Sequence, residues 1–521
     1  MKWNGWYSEV NEHSEIKKQI TTVRFPEYMP EPVRTKKKQE NMRRSPFIYV
    51  LTAFFAFTTA TMAQTKPEKR VSITLKHGAH RLGKRTDKQM QTWRNYGLGQ
   101  FIHWGVYAIP GGHWEGKYYP GAAEWIRSWK EMPKEAYDNL YKQFNPEKFN
   151  ARGWAKQAKE MGAKYVIITT KHHDGFCLWP SKYTDYTIAK SPYKKDIIGQ
   201  LVDAYDAEGI DVYLYFSIID WNHPGYRSSL KTEADRKEYE DFKTFTRNQL
   251  VELLERYPST KGLWFDGSWD KAWIEQAEFA DELGRELREM IPGLIIGSRF
   301  RADENGNRHF DTNGDMMGDY EQGWERKIPE TIEDIHGNDW DCVMTIPENQ
   351  WGYHSDWKGH VKTSNELIEM LVKSVSLDGN FVLNFGPDGE GNIRPEETKL
   401  AAEIGAWMDV NKEVVYGCGY LDWKKQDWGY YTVNRETGKK YMVVFNMPVS
   451  GALRVKVPDN TRPDKAYLLE QPESDITIEE IHRNEYFVHY KPMTPVKKPF
   501  VIVIETTESD ADEGHYQKAK T

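Results

Sequence analysis

The chain has 521 residues, with 71 Lys+Arg against 78 Asp+Glu, a net charge of −7, and 39% hydrophobic residues. That balance belongs to a folded globular protein, and a mildly acidic chain lacks the basic stripe that nucleic-acid binding needs. Cys177, Cys342 and Cys418 stand too far apart for a zinc knuckle, and their odd number excludes a complete disulfide framework. Aromatic residues reach 14%, with 20 Trp. Such rings offer a surface to the C–H faces of sugars, although large cores use them too.

At the N-terminus, residues 46–63 carry no charge, Arg43 and Arg44 precede them, and Thr61 and Ala63 stand in the −3 and −1 spacing of a signal-peptidase site. The pattern predicts a signal peptide over 42–63, too short in its apolar part for a stable span. Because signals begin at the first residue, Met42 is the expected natural start and 1–41 an over-extended reading frame outside the fold. Cleavage near Ala63 implies a secreted or periplasmic protein with no membrane anchor in its mature form.

From about residue 95, apolar runs alternate with amphipathic stretches. Strands are expected at 97–104, 164–170, 211–219, 262–266, 293–300, 341–346 and 381–386, with 311–319 able to supply an eighth. Their nearly continuous apolar character suits strands buried on both faces of a parallel sheet. Helices are expected at 150–162, 233–257, 271–291, 363–377 and 395–410, with Thr363 and Glu366 in capping-box spacing. This alternation predicts an α/β fold with a (β/α)8-like, TIM-type barrel over 80–412. Residues 413–508 change texture to short, partly alternating runs separated by turns, which predicts an antiparallel β-sandwich. A polar tail fills 509–521.

The polar residues that could carry chemistry gather where the strand runs end, the face on which a barrel builds its active site. They are His103, the Lys171–Asp174 cluster with His172 and His173, Asp266 and Arg299. Asp266 can serve as nucleophile or base, or merely cap a turn; Trp264 beside it offers a bulky wall. Adjacent strand residues point to opposite faces, so His172 and His173 share one pocket only where the strand bends. No HxxxH or HxxE pair in this cluster supports a metal site, and none is expected. Glycoside cleavage needs a second carboxylate, for which Glu321, Glu325, Glu330, Asp341 and Glu348 are the candidates. No GxSxG elbow supports a serine nucleophile.

Taken in order, YGLGQFIHWGVY (96–107), AAEWI (122–126), KYVIITTKHHDGF (164–176), LWFDG (263–267), IIGSRF (295–300), MTIPENQWGYH (344–354) and DGNFVLNFGPDGEGNI (378–393) resemble the α-L-fucosidases of glycoside hydrolase family 29. The resemblance spans about residues 85–505. It implies a catalytic barrel with a C-terminal sandwich, a retaining exo-α-L-fucosidase acting on a fucosylated glycan, and no cofactor. It makes Asp266 the nucleophile and His103, Glu124, Trp125, His172, His173, Tyr215, Trp264 and Arg299 the sugar pocket. The acid–base differs between branches of the family. One branch places it at Glu325, with Trp324 where that branch has proline; another places it at Asp341. Glu325 is favoured, with Tyr320 and Trp324 expected to desolvate it and raise its pKa. A related exo-glycosidase and an inactive sugar-binding protein are the alternative functions. Linkage preference and oligomeric state are left open.

Overall fold

The structure, a computed structural model, describes residues 85–303, 305–491 and 498–508. The expected start region, signal and tail lie outside the described residues. Eight strands form a parallel sheet: β1 (Leu98–Ile102), β2 (Tyr165–Lys171), β3 (Asp211–Ser217), β4 (Gly262–Asp266), β5 (Ile295–Ile296), β6 (Glu321–Glu325), β7 (Trp340–Thr345) and β8 (Asn380–Phe385). Their order is β5-β4-β3-β2-β1-β8-β7-β6, so β1 sits mid-sheet, with Leu98 opposite Phe381 of β8 and Gly99 opposite Tyr165 of β2. No paired ladder joins β5 to β6. Two backbone bonds bridge that seam: Asp319 N–H donates to the Ile296 carbonyl at 2.8 Å and Ser298 N–H to the Tyr320 carbonyl at 3.0 Å.

Alternation along each strand sorts side chains between lumen and exterior. Phe101, Tyr165, Ile167, Tyr213, Tyr215, Trp264, Val343 and Val382 form one buried cluster inside. Leu98, Ile102, Val166, Ile168, Leu214, Leu263 and Phe265 join a second, larger cluster with the surrounding helices. Burial on both faces is what gave the strands their continuous apolar texture. Helix α1 (Lys88–Arg94) plugs the lower end, its Trp93 ring 4.5 Å from Tyr320.

Around the sheet run α2 (Ala151–Met161), α3 (Ile197–Ala207), α4 (Glu233–Arg256), α5 (Ala277–Met290), α6 (Ser364–Ser376) and α7 (Pro395–Asn411). The capping box expected at the start of α6 is present: Glu366 N–H donates to Thr363 Oγ1 at 3.3 Å and Thr363 N–H to Glu366 Oε2 at 2.7 Å. The helix expected over 271–291 is two pieces, Lys271–Ile274 and α5. The eighth strand is β6, not 311–319, which forms loop and isolated bridges. The run at 293–300 shortens to the two residues of β5.

Beyond α7, eight antiparallel strands form a second sheet: β9 (Cys418–Gly419), β10 (Gly429–Asn434), β11 (Lys440–Val444), β12 (Ala452–Lys456), β13 (Thr461–Leu468), β14 (Gln471–His482), β15 (Glu485–His489) and β16 (Phe500–Glu508). Met442, Val444, Leu453, Val455, Val488, Ile502 and Ile504 close over one another as its own core. The opposite faces of β11 and β16, with Tyr441, Val443, Val501 and Val503, join the cluster of the barrel helices. Those two strands are therefore apolar on both faces, which is why their alternation is incomplete.

Candidate functional site

Above the aromatic lumen, at the C-terminal ends of the strands, opens a pocket of about 430 Å³. Strand geometry builds its floor. Asp266 stands two residues beyond Trp264 on β4, so both share a face; Ser217 and Tyr215 pair with them across β3. The Tyr215 hydroxyl donates to Asp266 Oδ2 at 2.9 Å and the Gly267 N–H to Oδ1 at 3.1 Å. Gly267 takes φ +92°, and a Cβ there would come within 2.7 Å of Ile219, so glycine lets the chain turn sharply behind the carboxylate. Burial, and to a smaller extent the Glu325 charge, push the Asp266 carboxyl up to about 6 against the pull of Arg299.

Arg299 ties the two candidate catalytic carboxylates together. One guanidinium nitrogen lies 3.4 Å from Asp266 Oδ1 and another 2.7 Å from Glu325 Oε2. Its Nε donates to the Gln322 carbonyl at 2.8 Å, which fixes the fork across the β5–β6 seam. Burial raises Glu325, but Arg299 and Arg326 outweigh it and hold the carboxyl below its usual value. This corrects the expectation of a raised pKa. Tyr320 belongs to the lumen core beneath and Trp324 packs against Trp340, whereas two guanidiniums face Glu325.

The rival acids are placed differently. Asp341 is 1% exposed, absent from the pocket lining, and pushed by burial up to about 8. Glu321 is buried at the other end of β6 and also outside the lining. Glu325 is the one of these three that lines the pocket.

The histidines crowd one wall. The β2 strand ends at Lys171, and the bend after it lets His172 and His173 lie with ring centroids 4.2 Å apart. His103 Nδ1 is 2.7 Å from Asn384 Oδ1, and His173 Nδ1 is 2.7 Å from Ser217 Oγ. Burial drives all three imidazoles down, His103 and His173 to about 3, so they are neutral and can donate or accept. His172 Nδ1 and His173 Nε2 are buried without a partner, as groups that wait for ligand hydroxyls would be. Their neighbours in the cluster serve the scaffold: Lys171 bonds Asp220 at 2.9 Å and Asp174 accepts from Tyr137 at 2.7 Å.

His172, His173 and Asp266 offer ligand atoms within 4.8 Å of one another, a grouping that could hold a metal ion. A cation there would lie beside the Arg299 guanidinium, so the arrangement suits sugar hydroxyls better.

Glu124 accepts the Gly352 N–H on Oε2 at 2.8 Å, while Oε1 is buried without a partner; burial pushes the carboxyl up to about 7. Trp125 meets His173 at 4.9 Å and lies parallel to Trp269 at 6.4 Å. All ten expected site residues thus converge: seven line the pocket, Tyr215 and Arg299 hold Asp266, and His173 Nε2 stands 3.7 Å from it. Sequence reasoning missed Phe101, Trp269, Arg308, Arg326 and Trp351, which also line it. Phe101 carried a signal, lying two residues before His103 on one strand face; the others come from loops with no periodicity to read.

The sequence profile of the alpha-L-fucosidase family matches residues 73–413. A tissue alpha-L-fucosidase of Rattus norvegicus is 29% identical over 390 residues, covering 71% of this chain and 79% of its own. An alpha-L-fucosidase structure of glycoside hydrolase family 29 from Bacteroides thetaiotaomicron is 50% identical with a TM-score of 0.80, covering 85% of this chain and 99% of that one. A second structure from that organism, with 50% identity, a TM-score of 0.80 and 83% and 99% coverage, is a covalent intermediate trapped with 2-fluoro-fucosyl fluoride in a glutamate-to-glutamine mutant.

Proposed function

The chain belongs to the alpha-L-fucosidase family, and from that premise we propose that Asp266 is its nucleophile and Glu325 its acid–base. The enzyme is a retaining α-L-fucosidase that hydrolyses terminal α-L-fucosyl residues by double displacement. The observation that carries the residue assignment is the shared guanidinium of Arg299, in contact with both carboxylates. A retaining pair needs its two carboxyl groups close together, and groups that share one guanidinium are close.

In the first step Asp266 attacks the anomeric carbon while Glu325 protonates the departing oxygen. In the second, water attacks the anomeric carbon as Glu325 takes its proton, the bond to Asp266 breaks, and fucose leaves with its configuration kept. The neutral imidazoles of His103, His172 and His173, together with Glu124, bind ring hydroxyls. Trp125 and Trp264 wall the sugar, and Tyr215 orients the nucleophile.

The protonation states add a constraint. With Asp266 pushed up to about 6 and Glu325 held down, the empty pocket gives its one shared proton mainly to Asp266. The working form needs the reverse, Asp266 ionised and Glu325 protonated. It is a minority species in the empty pocket, and it grows when sugar hydroxyls draw Arg299 away from Glu325. Turnover of an aryl α-L-fucoside, with the first-formed product read by proton NMR, tests the reading. Release of the α-anomer is expected; binding without release identifies a lectin, and turnover of another aryl glycoside in its place a different exo-glycosidase. The signal at 42–63, the exported location and the division at 412/413 are part of the same proposal, and a mature N-terminus at or near Gln64 in secreted protein is the outcome expected.

A further inference from the structure

The mouth of the pocket carries a guanidinium for which fucose chemistry has no use. Fucose is neutral, and Arg299 already contacts both catalytic carboxylates. Arg308 and Arg326 also line the pocket. Arg326 follows Glu325 directly, lies 3.4 Å from its Oε1 and donates to Asn349 Oδ1 at 3.1 Å. Its backbone takes φ +57°, a left-handed conformation uncommon outside glycine; a bulky residue keeps it where its surroundings fix the chain. Arg308 comes from the connection between β5 and β6. Among the described residues no hydrogen bond or ion pair engages its guanidinium, and the charge that acts on it is a like one, Arg299. Burial and that repulsion push its pKa down. Arg299, Arg308 and Arg326 thus stand among Asp266, Glu325 and Glu124, and among the described residues Arg308 is the one of the three whose guanidinium contacts no carboxylate.

Arg326 adjoins the acid, and the acid faces the leaving oxygen, so Arg326 stands on the leaving-group side, and the unpaired Arg308 lines the same pocket. We propose that Arg308 and Arg326 form an oxyanion subsite, and that the preferred substrates carry fucose on a sugar bearing a carboxylate or a sulfate ester. The proposal rests on the fucosidase reading above. A planar guanidinium suits either oxyanion, since both present paired acceptor oxygens.

Two matched pairs test it: fucosyl-N-acetylglucosamine with and without a 6-sulfate, and fucosyl-glucuronate against fucosyl-glucose. At low ionic strength, kcat/KM is expected to favour at least one acidic member about tenfold, as one charge-assisted contact allows. Roughly 0.5 M salt shrinks that ratio by screening. Arg308→Gln brings the ratio near one, whereas Arg308→Lys, which keeps the charge but not the fork, retains part of it. The sulfate and glucuronate arms separate the two anion sources. Equal kcat/KM within both pairs for the wild type, or a preference that survives in both Arg308→Gln and Arg326→Gln, overturns the subsite. Absence of turnover on p-nitrophenyl α-L-fucoside overturns the fucosidase reading instead. Arg308 is exposed on a loop, and thermal melting of the variant confirms that the fold is kept.

Discussion

In the parallel sheet, buried polar groups crowd the C-terminal strand ends: His103, His172 and His173 are each no more than 4% exposed, and Glu124 is sealed beside them. Across the antiparallel sheet, Thr432 alone among the described residues joins the polar side chains counted as buried, and acidic and basic groups line the outer faces of β12 to β15. Burying a polar group costs free energy unless a partner compensates it. The barrel bears that cost at the pocket, where His172, His173 and Glu124 keep unsatisfied atoms, and also deeper in the lumen, at Tyr165, Tyr213 and Asp341. The second sheet supplies apolar area to α6 and α7 and carries no comparable cluster. One region gathers many buried polar groups around a pocket; the other buries almost none.

The sharpest way to break this comparison is to remove the nucleophile. Asp266→Gly should lower turnover about 10³-fold or more, with azide partly restoring release as the inverted fucosyl azide. Activity near wild type would take Asp266 out of the mechanism. Next, Glu325→Gln should lose oligosaccharide hydrolysis far more than dinitrophenyl fucoside cleavage, because an acidic leaving group needs little protonation. If Glu321→Gln or Asp341→Asn shows that selectivity instead, the acid has been misassigned.

The pH profile sharpens the same point. The wild-type kcat/KM should peak below pH 6 and fall as pH rises through about 6, when the last proton shared by Asp266 and Glu325 leaves. A plateau reaching pH 8 would contradict the inverted protonation order. In Glu325→Gln, the activated substrate should show a single acid limb, set by ionisation of Asp266 alone. Its midpoint should lie below about 6, because the Glu325 charge that raises Asp266 is gone.

The second sheet should respond in stability, not chemistry. Leu453→Ala, at a fully buried position of β12, should cost about 2–5 kcal/mol and lower Tm while kcat at 25 °C stays unchanged. A large fall in kcat there would mean that the sheet shapes the pocket. The smallest effect belongs to its edge charges. Arg454 and Lys456 hold the Glu485 carboxyl down to about 2, yet Glu485→Gln should move Tm by no more than about one degree, since screened pairs contribute little.

How far the fold was legible follows the same division. Strands flanked by helices on one face and aromatic lumen on the other advertised themselves by composition. β6 did not: EQGWE sits at the seam, its pairing with β7 slips between Glu321 and Trp324, and its residues answer to the pocket. Helix α3 was overlooked because Gly199 and a short apolar IIGQLV run blur its period. The exposed, charged strand β14 went unread because QPESDITIEEIH offers little apolar alternation. At the site, most residues in motifs were found, though Trp351 of MTIPENQWGYH was passed over, while Trp269 and Arg308 sit on loops outside the motifs that only tertiary contacts bring to the pocket.

The position of β1 in the middle of the parallel sheet has a consequence for how the chain reaches this state. One edge of β1 pairs with β2 early in the sequence, but its other edge waits for β8, about 280 residues later. At ordinary translation speeds of 5–20 residues per second, roughly 15–60 s pass before that partner exists. Until then an apolar strand edge stands open, a template for wrong pairing with another chain. Synthesis and early folding, more than the finished molecule, are therefore where this protein is exposed to aggregation, and a chaperone that shields the first strands acts when it matters most.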